Sequence, residues 1–219
     1  MDGYETTLNV LIEAVKALNV TPVENLTPSC DRPLPFGISN RHVHLSADDL
    51  RLLFGADYAL TNTKDLSQPG QFACKETVTI CGSKGAIEKV RILGPTRGQT
   101  QIEVLAADCF KLGVPPCLRL SSELSGSPGL TIIGPKGSVL KQEGAIIAKR
   151  HIHMTPKDAL EYGVYDGQCV SIEVLGERGG VYREVMIRVT ESSALDLHLD
   201  TEEANAMGIH SLSIIKLVK

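Results

Sequence analysis

The sequence predicts a mainly β fold with short helices (α+β), in which strand-rich barrels are capped by small helices. Three observations carry this. Turn signals recur at Gly82–Gly85, Gly134–Gly137 and Gly176–Gly180. Alternating apolar and polar segments lie at 76–81, 86–93, 168–175 and 181–189. Helical patterns beyond residue 36 are brief, and no long helix alternates with strands, which argues against a doubly wound parallel sheet. Closed or nearly closed sheets with small helical caps satisfy the same pattern.

Residues 5–18 place Leu8, Leu11, Ile12, Val15 and Leu18 at helical spacing. Residues 1–20 are therefore read as an amphipathic helix. Four prolines (22, 28, 33 and 35) make residues 21–35 an extended linker. The helix is either docked on its own domain or an address that fits a partner's groove.

From Phe36 onward one unit recurs: a strand end, a capped short helix, a glycine and another strand. It appears at 42–56, 103–114, 151–164 and 198–209, with glycines at 55, 113, 163 and 208. Each glycine suits the left-handed position that ends a helix. Ser46 with Asp49 and Thr155-Pro156 with Asp158 resemble capping boxes, and Asp200 or Thr201 can cap the last helix. Within the units, His44, Glu103, His153 and His198 precede their glycines by 11, 10, 10 and 10 residues. Four related units thus put a metal-type ligand at one structural point, the end of a strand before a helix N-terminus.

Four of the six histidines form two H-x-H pairs, His42/His44 and His151/His153. On a strand, residues i and i+2 share a face, so both imidazoles can reach one ion while Val43 and Ile152 point into a core. The candidate ligands divide into two incomplete sets of three. Three protein ligands leave an open position, the pattern of catalytic zinc. Neighbouring helix N-termini favour an anion such as phosphate. Nearby cations are Arg41, Arg91, Arg97 and Arg150; Arg97 lies in a Gly-Pro-Thr-Arg-Gly loop where backbone can approach a ligand. Taken singly, each arginine is better read as a solvated surface charge. Two rival motifs fit poorly. The cupin pattern over Gly37, His42, His44, Asp48 and Gly55 runs into a helical stretch, and the metallo-β-lactamase pattern needs Asp where Ser46 stands.

Composition sets outer bounds. The chain has 219 residues, 22 Lys+Arg and 26 Asp+Glu, for a net charge of −4 with neutral His. Five Tyr, four Phe and no Trp leave no stacking platform, and the acidic balance leaves no basic footprint, so no nucleic-acid partner is expected. No run is long and apolar enough to span a membrane. No secretory signal precedes the first helix, so a cytoplasmic protein is expected, with Cys30, Cys74, Cys81, Cys109, Cys117 and Cys169 as reduced thiols. None of these lies near a His in sequence, which weakens a catalytic cysteine.

The segments GISNRHVHLSADD, LSQPGQFA, VRILGPTRGQTQIEV, SPGL, AKRHIHMTPKDAL and HLDTEEAN, spread from about Phe36 to Asn205, resemble the phosphate propanoyltransferases of the PduL type. These are the phosphotransacylases associated with bacterial microcompartments and propanediol degradation. The resemblance implies two β-barrel domains with the active site between them, one built from 36–41 plus 149–219 and the other from 42–148. It implies reversible transfer of a propanoyl or acetyl group between coenzyme A and orthophosphate. It implies two zinc ions, one on His42, His44 and Glu103, the other on His151, His153 and His198. Arg97 matches the catalytic arginine that contacts phosphate, and Ser39, Lys64, Arg91 and Asn205 match positions that contact coenzyme A. Residues 1–20 are similar to an encapsulation peptide for microcompartment shell or core proteins, which would put the protein in the microcompartment lumen. Two other readings stay open: a zinc-dependent thioester hydrolase and a non-catalytic metal-dependent interaction module. Acyl chain preference, native metal and homo-oligomeric state are not fixed by the sequence.

Overall fold

The structure is a computed structural model, and it describes residues 32–218. The expected helix at 5–18 and most of the linker lie outside them. Fifteen strands and four short helices form two curled sheets. The six-stranded sheet contains β1 (Phe36–Ser39), β11 (His151–Met154), β12 (Cys169–Val174), β13 (Gly180–Val189), β14 (Asp196–Asp200) and β15 (Ile215–Val218), in the order β1-β14-β11-β13-β12-β15. The nine-stranded sheet takes β2 (His42–His44), β3 (Asn62–Asp65), β4 (Phe72–Cys81), β5 (Ala86–Gly94), β6 (Gln101–Glu103), β7 (Leu118–Arg119), β8 (Thr131–Ile133), β9 (Ser138–Leu140) and β10 (Ala145–Ala148). Its order is β7-β10-β6-β2-β5-β4-β8-β9, with β3 beside β4.

Each sheet encloses its own apolar cluster. Val43, Ile80, Ile92, Ile102 and Ile132 centre the larger one; Ile152, Ile172, Val185, Ile187 and Leu197 centre the smaller. The expectation that Val43 and Ile152 point inward is met, since both are fully buried. Burial of each such side chain contributes about 1.5–3 kcal/mol. That burial forces the flanking histidines of each H-x-H onto the opposite face of the strand.

The two sheets repeat one arrangement. β2 lies between parallel β5 and antiparallel β6, with His42 opposite Arg91 and Glu103. β11 lies between parallel β13 and antiparallel β14, with His151 opposite Met186 and His198. In each hairpin the second strand carries one non-glycine residue in the left-handed region, Lys89 (φ 55) or Glu184 (φ 60). Each lies two residues before the strand position that faces the first histidine. Register shifts mark both hairpins, between Val78 and Ile80 and between Val170 and Ile172.

The helices are α1 (Ala47–Phe54), α2 (Ala106–Leu112), α3 (Pro156–Tyr162) and α4 (Thr201–Met207). The one-residue difference in spacing noted above has a structural cause: α1 has eight residues and the others seven. Gly113, Gly163 and Gly208 take the left-handed conformation expected of them. Gly55 does not: at φ 115, ψ 162 it lies in a region essentially reserved for glycine, and it ends the longer helix by a different turn. Capping boxes form at Thr155/Asp158 and Asp200/Glu203. At α1 only half a box forms, because Ser46 accepts from the Asp49 N–H while the Asp49 carboxylate turns to Thr100 and Lys141.

Candidate active site

The strand ends bring together the two sets of side chains expected from the repeat. His42, His44 and Glu103 form one group and His151, His153 and His198 the other, with one ligand atom from each residue within 4.8 Å of the rest of its group. His42 Nε2 lies 3.3 Å from Glu103 Oε2, and His44 Nε2 lies 4.0 Å from Glu103 Oε1. His151 Nε2 and His153 Nε2 are 3.1 Å apart.

Hydrogen bonds behind the rings set their tautomers. His42 Nδ1 donates to the Asn40 carbonyl and His151 Nδ1 to the Lys149 carbonyl, both at 2.8 Å and both two residues back along the chain. Each Nε2 then faces its group. His198 Nε2 is 2.9 Å from Asp196 Oδ2, a buried carboxylate that also accepts from Ser67 Oγ at 2.5 Å. Such partners orient metal-binding imidazoles and raise their basicity. His44 Nδ1 is the one buried side-chain nitrogen or oxygen without a hydrogen bond among the described residues.

The electrostatics keep lone pairs free on three of the imidazoles. Burial, then the charges of His42 and Arg97, push His44 down to about 3. Burial and neighbouring histidines push His151 down to about 4 and His153 to about 3. At neutral pH these three are unprotonated. Burial opposes charge on His42 and Glu103 too, but each stabilises the other, so His42 is raised and Glu103 is held well below the usual carboxylate range. Two neutral nitrogens 3.1 Å apart in a buried cleft, and a buried carboxylate between two imidazoles, are donor sets that a divalent cation fits. The two groups also sense one another: the charge of Glu103 favours a proton on His151, and that of Arg97 disfavours one on His153.

Arg97 reaches the site through the turn before β6. Its N–H donates to the Leu45 carbonyl, beside a bridge to Ser46, and its Nη1 donates to Ser121 Oγ at 2.9 Å. Ser121 leads to Gln101, whose side chain is fully buried. Gln101 Nε2 donates to Glu103 Oε1 at 2.5 Å and to Ser121 Oγ at 2.8 Å. Its Oε1 accepts from the Ser122 N–H at 2.9 Å and from Ser121 Oγ at 3.2 Å. A carboxylate can only accept and a backbone N–H can only donate, so both ends of this amide are assigned. Sequence reasoning missed Gln101 and Ser121. The signal for Gln101 was its place two residues before Glu103, on the same strand face.

The other expected residues divide. Ser39 ends β1, with its Oγ 3.4 Å from the Leu199 carbonyl. Lys64 is exposed on β3 and Asn205 on α4. Arg91 Nη1 donates to the Cys74 and Lys75 carbonyls, both at 2.8 Å. Arg41 and Arg150, each just before an H-x-H, serve the scaffold. Arg41 pairs with Asp108 at 2.7 Å and Arg150 with Glu203 at 3.2 Å. Each tethers an H-x-H strand to the third residue of the helix that follows the group's third ligand. Glu202 joins the halves, accepting from the Ala106 and Ala107 N–H groups at 3.0 Å.

Cys74, Cys81, Cys109, Cys117 and Cys169 are free thiols, and burial pushes Cys74 up to about 11, which makes it a poor nucleophile. Among the described residues no helix is long and apolar enough to cross a membrane.

Comparison with known proteins matches this arrangement to one family. A family model described as Phosphate propanoyltransferase matches residues 35–210. Among curated proteins, a Phosphate propanoyltransferase of Thermotoga maritima is 54% identical over 184 residues, 84% of this chain and 88% of that protein. One of Rhodobacter capsulatus is 53% identical over 186 residues, 85% of this chain and 86% of its own length. One of Priestia megaterium is 52% identical over 198 residues, covering 90% and 88%. The match takes in both histidine groups, Arg97 and the repeated units that carry them, and on it the chain belongs to the phosphate propanoyltransferase family.

Proposed function

We propose that this acyltransferase holds orthophosphate against an acyl-CoA thioester at a cleft that carries two zinc-type ions. Membership of the family makes it an enzyme that moves an acyl group between coenzyme A and phosphate. The finer reading rests on one observation: Arg97, fixed by Ser121, lies beside two three-donor groups built as repeats of one device. In this reading His42, His44 and Glu103 hold one ion and His151, His153 and His198 the other. When bound, such ions supply Lewis-acid polarisation and neutralise developing charge.

The chain's own residues do the rest. Arg97 offers a planar, permanently charged fork to the phosphate oxygens. Ser121 fixes that fork and the Leu45 carbonyl fixes the Arg97 backbone before substrate arrives, so little ordering is needed at the moment of reaction. Ser39, Lys64, Arg91 and Asn205 bind coenzyme A. Phosphate oxygen attacks the acyl carbon, the carbon–sulfur bond breaks, and the electron pair leaves with the coenzyme A sulfur. A covalent acyl-enzyme is not part of this reading: burial raises the two buried thiols, Cys74 and Cys109, and makes them poorer nucleophiles. In this reading the chain divides into one barrel domain of 36–41 plus 149–219 and another of 42–148. Residues 1–20 act as an encapsulation peptide for shell or core proteins, so the enzyme works in a microcompartment lumen.

The test is phosphate-dependent release of coenzyme A from acetyl-, propanoyl- and butanoyl-CoA, with bound metal quantified in the same preparation. Release should stop when phosphate is omitted and should track metal content. Release without phosphate would make the protein a hydrolase. Deleting residues 1–20 should leave this activity intact and abolish co-localisation with a shell; loss of folding would give the segment a structural role.

A further inference from the structure

Arg188 stands apart from every other arginine near the cleft. Arg41 and Arg150 are paired with carboxylates, Arg91 with carbonyls and Arg97 with a hydroxyl. Arg188 is half-buried on β13, and its side chain makes no hydrogen bond or ion pair among the described residues. It is the register partner of His153 across the parallel β11–β13 pair. The carboxylate in the same row, Asp196, is opposite His153 on the other side and is taken by Ser67 and His198. The groups that feel Arg188 are bases and another cation. Its charge disfavours protons on His151 and His153, and it disfavours charge on Arg97. A cation kept in such company, with no anion partner among the described residues, raises the energy of the unliganded protein.

The scaffold does not demand it. Arg188 lies two residues beyond Met186, the partner of His151. In the other half the position two residues beyond Arg91, the partner of His42, is Leu93. The same place in the repeated architecture is filled by an aliphatic residue. The arginine is therefore an addition in the half whose three ligands carry no carboxylate.

We propose that Arg188 is a second anion-binding arginine, facing Arg97 across the cleft and taking the phosphate group of orthophosphate or of the acyl phosphate. This rests on the reading of Arg97 as a phosphate ligand. Arg97 and Arg188 repel each other until a dianion lies between them, so the clamp favours phosphate over neutral water. It also gives each half one arginine, Arg97 from the half with Glu103 and Arg188 from the half whose three ligands are all histidines.

The experiment uses the metal-loaded full chain. Arg188→Met keeps the aliphatic stem, Arg188→Lys keeps the charge, and Arg97→Ala is measured in parallel. KM is read separately for orthophosphate and propanoyl-CoA, and melting is followed with and without orthophosphate. Loss of a charge-assisted bond should raise the phosphate KM of Arg188→Met about 10-fold to 100-fold, with the lysine variant between it and wild type. The phosphate-induced rise in melting temperature should vanish in Arg188→Met, while the unliganded protein melts no lower than wild type. An unchanged phosphate KM with the phosphate-induced rise retained overturns the inference. A KM increase confined to propanoyl-CoA also overturns it and gives the arginine to a coenzyme A phosphate. If Arg188→Met is unstable without ligand, the lysine variant decides by the same two readouts. An Arg97→Ala enzyme with wild-type phosphate KM defeats the reading of Arg97 alone, since the Arg188 measurements stand without it.

Discussion

Replacing Gln101 by methionine tests whether the phosphate arginine and the Glu103 carboxylate are held by one network. Methionine keeps the length and volume of the side chain and removes all of its hydrogen bonding. One bond of Gln101 goes to an ionised carboxylate at 2.5 Å and one comes from a backbone N–H at 2.9 Å. The other two, at 2.8 and 3.2 Å, are exchanged with the Ser121 hydroxyl, which can rotate to recover part of its bonding. Losing the charged bond removes about 1.5–3 kcal/mol and the backbone bond about 1 kcal/mol. A loss near 2.5–4 kcal/mol, at about 2–4 °C per kcal/mol for a chain of this size, predicts a fall in melting temperature of roughly 5–16 °C in metal-free protein. Glu103 also loses the donor that fixes Oε1, so metal affinity at the His42/His44/Glu103 group should fall about 10- to 100-fold. Ser121, no longer braced, should let Arg97 drift and raise the phosphate KM several-fold, with the acyl-CoA KM unchanged. Thermal melts, chelator competition and steady-state kinetics on one preparation read all three. A metal-free melt within a degree of wild type, together with an unchanged chelator midpoint, would refute the network.

Three more predictions follow from particular contacts. Asp49 is buried, accepts from Thr100 Oγ1 at 2.5 Å and pairs with Lys141 at 2.8 Å; burial opposes its charge but these partners lower its pKa. Asp49→Asn should cost about 1–3 kcal/mol. Because a lowered folded pKa contributes stability above the unfolded value, the difference should hold at neutral pH and close as pH falls below about 4, as urea titrations at several pH values would show. In Gly134→Ala the added Cβ would lie 2.6 Å from the Leu53 carbonyl oxygen and 2.8 Å from Leu53 Cβ, so overpacking of about 1–3 kcal/mol should appear in the urea midpoint. Stripping metal with a chelator should abolish phosphate-dependent release of coenzyme A, and at 100 times its dissociation constant zinc should restore it with about 2.7 kcal/mol of added stability. Wild-type turnover in verified metal-free protein would sink the metal reading.

The sequence was legible where function and local structure share a short stretch of chain. H-x-H on a strand, an acid at the third helical position and a glycine at the helix end are each written within a dozen residues, so the histidine groups and three of the four helix ends could be read directly. Gly55 departed because one extra helical residue changes the turn that must follow it. Residues joined by strand pairing could not be read so easily. Arg188 meets His153 through a parallel crossover between β11 and β13, and nothing in its own neighbourhood marks it. Gln101 was legible in principle, by its i, i+2 relation to Glu103, but Ser121 lies 20 residues away and enters through a loop. Arg41 and Arg150 repeat an Arg-His-x-His pattern that could suggest anion binding. Their partners Asp108 and Glu203 show instead that the repetition serves the scaffold.

The duplication separates what the fold needs from what the chemistry uses. Both halves keep a fully buried aliphatic residue between the histidines, a carbonyl two residues back on the first Nδ1, an arginine tethering strand to helix and a left-handed residue in the hairpin. Each of these acts on geometry: it fixes which face the imidazoles take, which nitrogen holds the proton and how the helix approaches. The halves differ where a charge meets the cleft. Glu103 stands opposite His42 where His198 stands opposite His151, and Leu93 stands where the other half has Arg188. Each half still brings one arginine: Arg97 is linked to Glu103 through Ser121 and Gln101, and Arg188 is the register partner of His153. The asymmetry is therefore one of charge within a symmetric frame, and the frame can stay symmetric because its shared residues act on geometry and do not carry that difference.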